Sequence, residues 1–416
     1  MRLFIPWERA VTLLIERRSG PQLLCIVTFM TPTMEYTSTY HNLKSQFSLS
    51  ADEIKFSDSH ISCRTFSFHS PGCPTDDFNN QTSTSGIFSE AGESIRENQS
   101  FTYPVIFPDS GDKFGQAIVL LHGLNERSWT KYLVWAYFLA EKTGRPVILF
   151  PIAYHMNRSP LAWSNPRIMT PLLTERNIHL GHVPMASFAN LALSERLSEN
   201  PVRFVTSGVQ SAGDLEQLVL QISAGNHPLF EKGAHIDLFA YSIGAFLAQI
   251  VMLANPGNLF TDSRLFIFCG GAFFDQMDGT SKLIMDKNAF DCLRKYYIQD
   301  LGTKSDNHPG FAEYLKSTQL GMAFSAMLSS GKLKAFREGV FSKLKNQISS
   351  VVLKNDKVIP AAGTLEALGG GSSIEVMDFP YEYSHEIPFP VGEKGIIPSV
   401  DAAFKEVFRR ASEFLR

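Results

Sequence analysis

The sequence predicts an α/β fold: a mostly parallel central sheet covered on both faces by helices. Two observations carry this. Short continuous apolar runs recur along the chain, as expected for strands buried on both faces of a parallel sheet. Segments of helical periodicity lie between them, and alternation of the two implies strand–helix–strand units. No internal repeat is visible.

The elements follow in order. Residues 34–60 are polar and mixed and contain no strong element. Cys63–His69 alternates polar and apolar residues, with Phe66 and Phe68 two apart, as in a half-buried strand. Residues 70–100 are rich in Pro, Gly, Asn, Ser and Thr, which is loop chemistry. Phe101–Phe107 is a short strand. The texture changes at residue 115, where Ala117–Leu121 forms a buried run ending in His122-Gly123. A helix over Thr130–Lys142 is stopped by Gly144 and Pro146, and Val147–Phe150 is the next buried strand. Further strands are Ile236–Ala240, Leu265–Cys269, Ser350–Leu353 and the weaker Ile374–Met377. Helices are expected over Asp214–Ala224, Ala245–Ala254, Ala361–Leu368 and Val400–Phe414.

Two long segments interrupt the alternation, residues 152–210 and residues 271–347. The second has helical patterns around Ser281–Ile298 and Phe311–Phe341. Insertions of this length are usually binding loops or lids, and both leave the carboxyl edge of the sheet, where parallel α/β sheets place their ligands. The expected organisation is a poorly structured or spurious N-terminal extension over residues 1–33, with Met34 as the alternative beginning, and a segment with the first strands and loops over 34–100. The first part of the core follows over 101–270, including the 152–210 insertion. A helical cap over 271–347 and the rest of the core over 348–416 complete it.

Composition narrows the function. The 416 residues carry a formal net charge of −3, without the concentrated basic surface that nucleic-acid binding needs. The five cysteines, Cys25, Cys63, Cys73, Cys269 and Cys292, are scattered and odd in number, with no CxxC. They read as reduced thiols, not as a disulfide framework or a zinc site. The apolar runs Ala10–Ile15 and Leu23–Met30 are separated by Glu16, Arg17 and Arg18, and neither approaches the ~20 residues that span a bilayer. No clean signal-peptide cleavage site follows them, so the expected location is the cytoplasm. Gly369-Gly-Gly-Ser372 lacks the lysine of a phosphate-binding loop and precedes a strand. There is no dinucleotide fingerprint and no HExxH, so no cofactor is expected.

The chemistry centres on Asp237-Leu-Phe-Ala-Tyr-Ser-Ile-Gly244, which joins an apolar strand to an apolar helix. A serine on such a sharp turn projects its hydroxyl above the sheet edge, at the positive end of a helix. Close approach of the backbones demands small residues two positions either side, and Ala240 and Gly244 meet that demand. Ser242 could equally be an ordinary N-capping serine. Downstream, Val351–Pro360 reads as a strand followed by a turn carrying Asp356, where simple turn chemistry is the alternative. One histidine lies beyond it, His385, in a loop before the C-terminal helix.

This constellation resembles the α/β-hydrolase superfamily, with alanine in place of the first glycine of its G-x-S-x-G elbow. The family's partners follow in the order nucleophile, acid, histidine. The resemblance implies an α/β-hydrolase fold with a helical lid insertion, Ser242 as nucleophile, Asp356 as acid and His385 as base. It also implies an oxyanion hole from the backbone amides of Leu124, in His122-Gly123-Leu124, and Ile243. The 155–158 and 383–385 segments are also similar to uncharacterised α/β-hydrolase-like proteins of Bacteroidetes bacteria. The implied activity is hydrolysis of an ester, thioester or amide in a small-molecule acyl substrate, the alternative being a catalytically silent member that binds a ligand or partner. Tyr241, His155, Asn157 and Arg158 are candidates for contacting a polar or anionic substrate group; the last three could instead satisfy loop carbonyls. Asp275 and Asp278 are the alternative positions for the acid. Phe273, Phe274, Tyr296 and Tyr297 either line a pocket or pack in the core.

Overall fold

The computed structural model describes residues 34–73, 95–109, 111–303, 308–369 and 372–416. The expected extension at 1–33 and most of the expected 70–100 loop lie outside them. The strands are β1 (Glu53–Lys55), β2 (Ile61–His69), β3 (Ser100–Pro108), β4 (Phe114–Leu121), β5 (Val147–Leu149), β6 (Phe230–Tyr241), β7 (Leu265–Phe268), β8 (Ile348–Leu353) and β9 (Ser373–Met377). They form one nine-stranded sheet in the order β1-β2-β3-β5-β4-β6-β7-β8-β9. From β5 to β9 every pairing is parallel, and β1, β2 and β3 add antiparallel pairings at one end. This mixed, mostly parallel sheet covered by helices is the α/β-hydrolase architecture.

The early helices are α1 (Tyr36–Gln46), α2 (Arg96–Gln99), α3 (Thr130–Thr143), α4 (Pro166–Leu180), α5 (Leu191–Glu199), α6 (Val202–Ser223) and α7 (Ile243–Ala254). After β7 come α8 (Lys287–Arg294), α9 (Pro309–Ser317), α10 (Gln319–Leu328), α11 (Lys334–Leu344), α12 (Ala361–Leu368) and α13 (Ile397–Leu415). Because strand side chains alternate, each core strand feeds two cores. Val119, Leu121, Leu238 and Ala240 face the side covered by α6 and α7. Ile118, Leu120, Phe239 and Tyr241 face the side covered by α1, α3 and α13.

Two expectations need correction. Residues 34–60 contain α1 and β1. Helix α1 is held from outside itself: the Thr37 amide and hydroxyl both donate to Asp401 Oδ1, at 2.9 and 3.1 Å, and the Tyr36 ring packs on Phe404 with centroids 4.5 Å apart. Such a polar helix owes its stability to tertiary contacts and not to its own propensity. Helix α6 starts at Val202, three turns before the expected Asp214. Gly208, Gly213 and several β-branched residues weaken the local signal, but Val202, Val205, Val209 and Ala212 all reach the core.

The two insertions meet each other beyond the carboxyl ends of the strands. Arg176 on α4 donates to Asp286, the N-cap of α8, at 2.8 and 3.1 Å. Asn190 donates to the Ser281 carbonyl at 2.8 Å, and Ser187 to that of Lys282 at 2.5 Å.

Candidate active site

Strand β6 ends at Tyr241 and α7 begins at Ile243, so Ser242 alone makes the turn between them. It does so at φ 58° and ψ −123°, a backbone conformation that L-residues rarely adopt and that clusters at functional sites. The tight turn also explains Gly244. A Cβ there would lie 2.6 Å from the Leu121 carbonyl oxygen and 2.8 Å from that of His122, at the end of the neighbouring strand. Gly270 is constrained likewise, since its Cβ would come within 2.5 Å of Ala245.

The Ser242 side chain makes no capping hydrogen bond to α7, which removes the N-cap alternative. Its Oγ stands 2.6 Å from His385 Nε2. The other nitrogen, Nδ1, stands 2.7 Å from Asp356 Oδ2. Since a carboxylate only accepts, Nδ1 carries the proton and Nε2 is left as the acceptor for the serine hydroxyl. The second carboxylate oxygen of Asp356 accepts from the Val358 and Ile359 amides, both at 2.9 Å. All three side chains are buried, with at most 5% of each residue exposed. The structure thus brings together the three residues that the sequence reading joined, as one chain of hydrogen-bonded contacts.

Neither alternative acid shares it. Asp278 Oδ1 accepts from the Thr280 amide, and Asp275 stands near Glu366, its carboxyl raised above the usual range by burial and by that neighbour.

Behind the histidine lies support that the sequence did not reveal. The Tyr241 hydroxyl donates to the His385 carbonyl, and the two rings stack with centroids 5.5 Å apart. Lys131 lies over the Tyr241 ring at 4.7 Å and donates to the Glu386 carbonyl at 2.9 Å. Tyr241 is therefore turned into the scaffold, correcting its reading as a substrate contact. The spacing of residues 241 and 385 gave no sign of this.

The loop after β4 closes the other side. His122 donates from Nδ1 to the Gly123 carbonyl at 2.8 Å, and its Nε2 accepts from the Ile152 amide at 2.9 Å. Burial holds its pKa well below the ordinary value, so it stays neutral and structural. The Gly123 amide donates to the Tyr132 hydroxyl at 2.9 Å. Among the described residues, the Leu124 and Ile243 amides have no hydrogen-bond acceptor, leaving both open to a bound atom. Asn125, at φ 59°, ties this loop to both insertions by donating to the Ala189 and Leu283 carbonyls at 2.9 and 2.8 Å.

A narrow apolar cavity of about 60 Å³ adjoins Leu124 and Ile243. Its walls come from α6, α7 and the α9–α10 pair, including Val205, Phe246, Ile250 and Phe324. The α6 part of this wall lies in the turns that periodicity missed. Of the expected substrate contacts, His155 lines the cavity, while Tyr241, Asn157 and Arg158 do not. Asn157 donates to the Thr102 carbonyl at 2.9 Å. The aromatic quartet packs in the core, Phe274 against Tyr297 at 5.7 Å and Tyr296 against Tyr297 at 5.0 Å.

Arg158 follows the second of its two readings, satisfying loop carbonyls. It is fully buried, donating to Asp214 at 2.7 Å and to the Pro151 and Asn98 carbonyls at 3.0 and 3.1 Å. Asp214 in turn accepts from Ser70 at 2.6 Å. Breaking a buried pair strands a charge, so Arg158→Leu is expected to destabilise the fold by about 3–5 kcal/mol. A chemical-denaturation midpoint checks this, and an unchanged midpoint would show the pair to be dispensable.

Among the described residues, no cluster of three or more His, Cys, Asp or Glu could hold a metal ion, and no helix is long and apolar enough to cross a membrane.

Comparisons with known proteins give outlines and one family. The chain is similar to a cold-adapted esterase from an Arctic intertidal metagenomic library, at 9% identity and a TM-score of 0.38 over 89% of this chain and 100% of that one. It is similar to a thermostable esterase from Pseudomonas putida, at 11% identity and 0.40, over 92% and 91%. Carboxyl esterase 2 from the fungus Tuber melanosporum matches at 12% identity and 0.39, over 91% and 97%. No curated protein matches the sequence. One family model matches residues 34–416, and on that match the chain belongs to the family of unknown function DUF6051.

Proposed function

We propose that the protein is a serine hydrolase that cleaves a carboxylic ester or a related acyl bond through an acyl-enzyme. The observation that carries this reading is the unbroken path from Ser242 Oγ through His385 to Asp356, at 2.6 and 2.7 Å. A serine hydroxyl is a weak nucleophile until a base accepts its proton. His385 Nε2 accepts that proton as Oγ attacks the carbonyl carbon, and Asp356 stabilises the imidazolium that forms. The open amides of Leu124 and Ile243 receive the negative oxygen, each such donor typically contributing ~3 kcal/mol to the transition state. His385 then protonates the leaving alcohol. Water, deprotonated by the same histidine, attacks the acyl-enzyme and releases the acid. In this reading residues 152–210 and 271–347 are the lid, and Asn125 couples them to the oxyanion loop.

A fluorophosphonate probe tests the proposal directly. The wild-type protein is expected to gain one phosphonyl adduct, located by mass spectrometry on the peptide that contains Ser242. A protein that stays unlabelled at saturating probe is the silent ligand-binding alternative.

A further inference from the structure

The cavity beside the oxyanion amides has two glycines in its wall, and packing accounts for only one of them. Gly321 lies in the first turn of α10, where a Cβ would stand 2.6 Å from Leu315 Cα and 2.7 Å from the Tyr314 carbonyl oxygen, so α10 can approach α9 only with glycine there. Gly208 is different. It lies inside α6, where glycine is less favourable than alanine. A Cβ built on it meets no heavy atom within 4 Å, and its φ is not positive, so neither close approach nor backbone conformation calls for it. Its position on the helix supplies the reason. Phe204, Val205, Gly208 and Val209 share one face of α6 by helical spacing, and all four line the cavity. Gly208 sits in the middle of that face, and the side chain it lacks leaves room there.

The rest of the wall limits what can fill that room. It contains no Asp, Glu, Lys or Arg side chain. His155 is neutral, its pKa pushed down to about 3 by burial. Neither of its nitrogens is presented to the cavity, since Nδ1 donates to the Ala153 carbonyl at 2.8 Å and Nε2 is buried. The Ser207 hydroxyl is tied to the Phe204 carbonyl at 2.9 Å. The open amides of Leu124 and Ile243 are therefore the polar end of an otherwise apolar space. An ester oxygen held by those amides marks where the chain begins. The leaving group must lie within reach of His385, which protonates it and is not part of the wall, so the acyl group is the part that enters. A water-sized group takes up about 10–15 Å³ of such space and a methylene is of similar size, so a cavity of about 60 Å³ holds about four to six carbons.

We infer that, given the hydrolase reading above, the cavity is the acyl site for an uncharged aliphatic chain of about four to six carbons, and that Gly208 sets the chain length by leaving its place in the wall empty. Any side chain at 208 enters the space that the acyl chain fills. The other glycine inside α6, Gly213, provides a control. A Cβ there also meets nothing within 4 Å, but it lies roughly 140° further round the helix and outside the cavity wall.

The test compares p-nitrophenyl acetate, hexanoate and dodecanoate on the full-length protein. Wild type is expected to favour hexanoate over acetate in kcat/KM by about tenfold or more, each buried methylene contributing about fourfold, and to favour it over dodecanoate, which overfills the cavity. In Gly208→Leu the hexanoate-to-acetate ratio falls by about tenfold or more, because the leucine takes the place of four carbons. In Gly208→Ala, a change that favours the helix, it falls by about fourfold, one carbon's worth. Gly213→Leu keeps the ratio within about twofold, as for a site outside the wall. Thermal midpoints recorded alongside show which variants are folded, and the alanine variant carries the test if the leucine variant is not. Wild type that favours acetate or dodecanoate overturns the inference and leaves the hydrolase reading intact. So does a ratio that survives in the folded Gly208 variants or falls equally in Gly213→Leu, and so does a protein that takes the fluorophosphonate but cleaves none of the esters. A wild-type protein that neither cleaves them nor takes the probe loses the hydrolase reading first, and this inference falls with it.

Discussion

Replacing Ser242 by alanine is expected to lower ester turnover on the order of 10⁴-fold or more, to the residual level that binding and oxyanion stabilisation alone support. The substitution is unusually clean here. Alanine meets the same positive φ of 58° that serine already tolerates, so the turn is no more strained than before. The hydroxyl makes no bond to α7, so no helix cap is lost. Only the contact with His385 Nε2 disappears, leaving that nitrogen without its donor. Folded stability is therefore expected to change by no more than about 1–3 kcal/mol, the effect of one unsatisfied buried group. Burst titration with a nitrophenyl ester, with the thermal midpoint recorded alongside, separates loss of chemistry from loss of fold. A Ser242→Ala protein that keeps its turnover would remove the serine from the mechanism.

The elements that the sequence made legible share a physical property: their burial is nearly complete. Ala117–Leu121, Ile236–Ala240 and Leu265–Cys269 lie between two helical layers and so are apolar at every position but Asp237, whose buried carboxylate is paired with Arg145 at 2.7 Å. Ser242, Asp356 and His385 were legible for a different reason. A nucleophile on a strand-to-helix turn needs a carboxylate and a histidine at the same sheet edge, and few downstream positions offer them. Features held by distant partners stayed hidden. Helix α1 depends on Asp401, 364 positions away. Arg158 looks like an anion contact because it follows a core strand, yet its partner Asp214 lies 56 positions on, in the middle of a helix. Tyr241 sits beside Ser242 in sequence, but its hydroxyl holds the carbonyl of a residue 144 positions later.

Asp356→Asn provides the sharpest test of the relay, because the structure determines how the asparagine must sit. Oδ1 of Asp356 receives two amide hydrogens, from Val358 and Ile359, at 2.9 Å each. An asparagine keeps both bonds only by pointing its carbonyl oxygen at those amides, which turns its NH₂ group towards His385 Nδ1. Two donors cannot face each other, so the imidazole must move its proton to Nε2. In that tautomer His385 cannot accept the Ser242 proton. The expected consequence is a fall in kcat of about 10⁴ with geometry and stability largely kept. Asp275→Asn is the matched control. That carboxyl stands away from His385 Nδ1, whose partner is Asp356, so its amide is expected to change kcat by no more than about twofold, as for a charge outside the relay. If Asp275→Asn proves the more damaging of the two, the acid of the relay belongs after β7 and the bond from His385 to Asp356 serves only the fold.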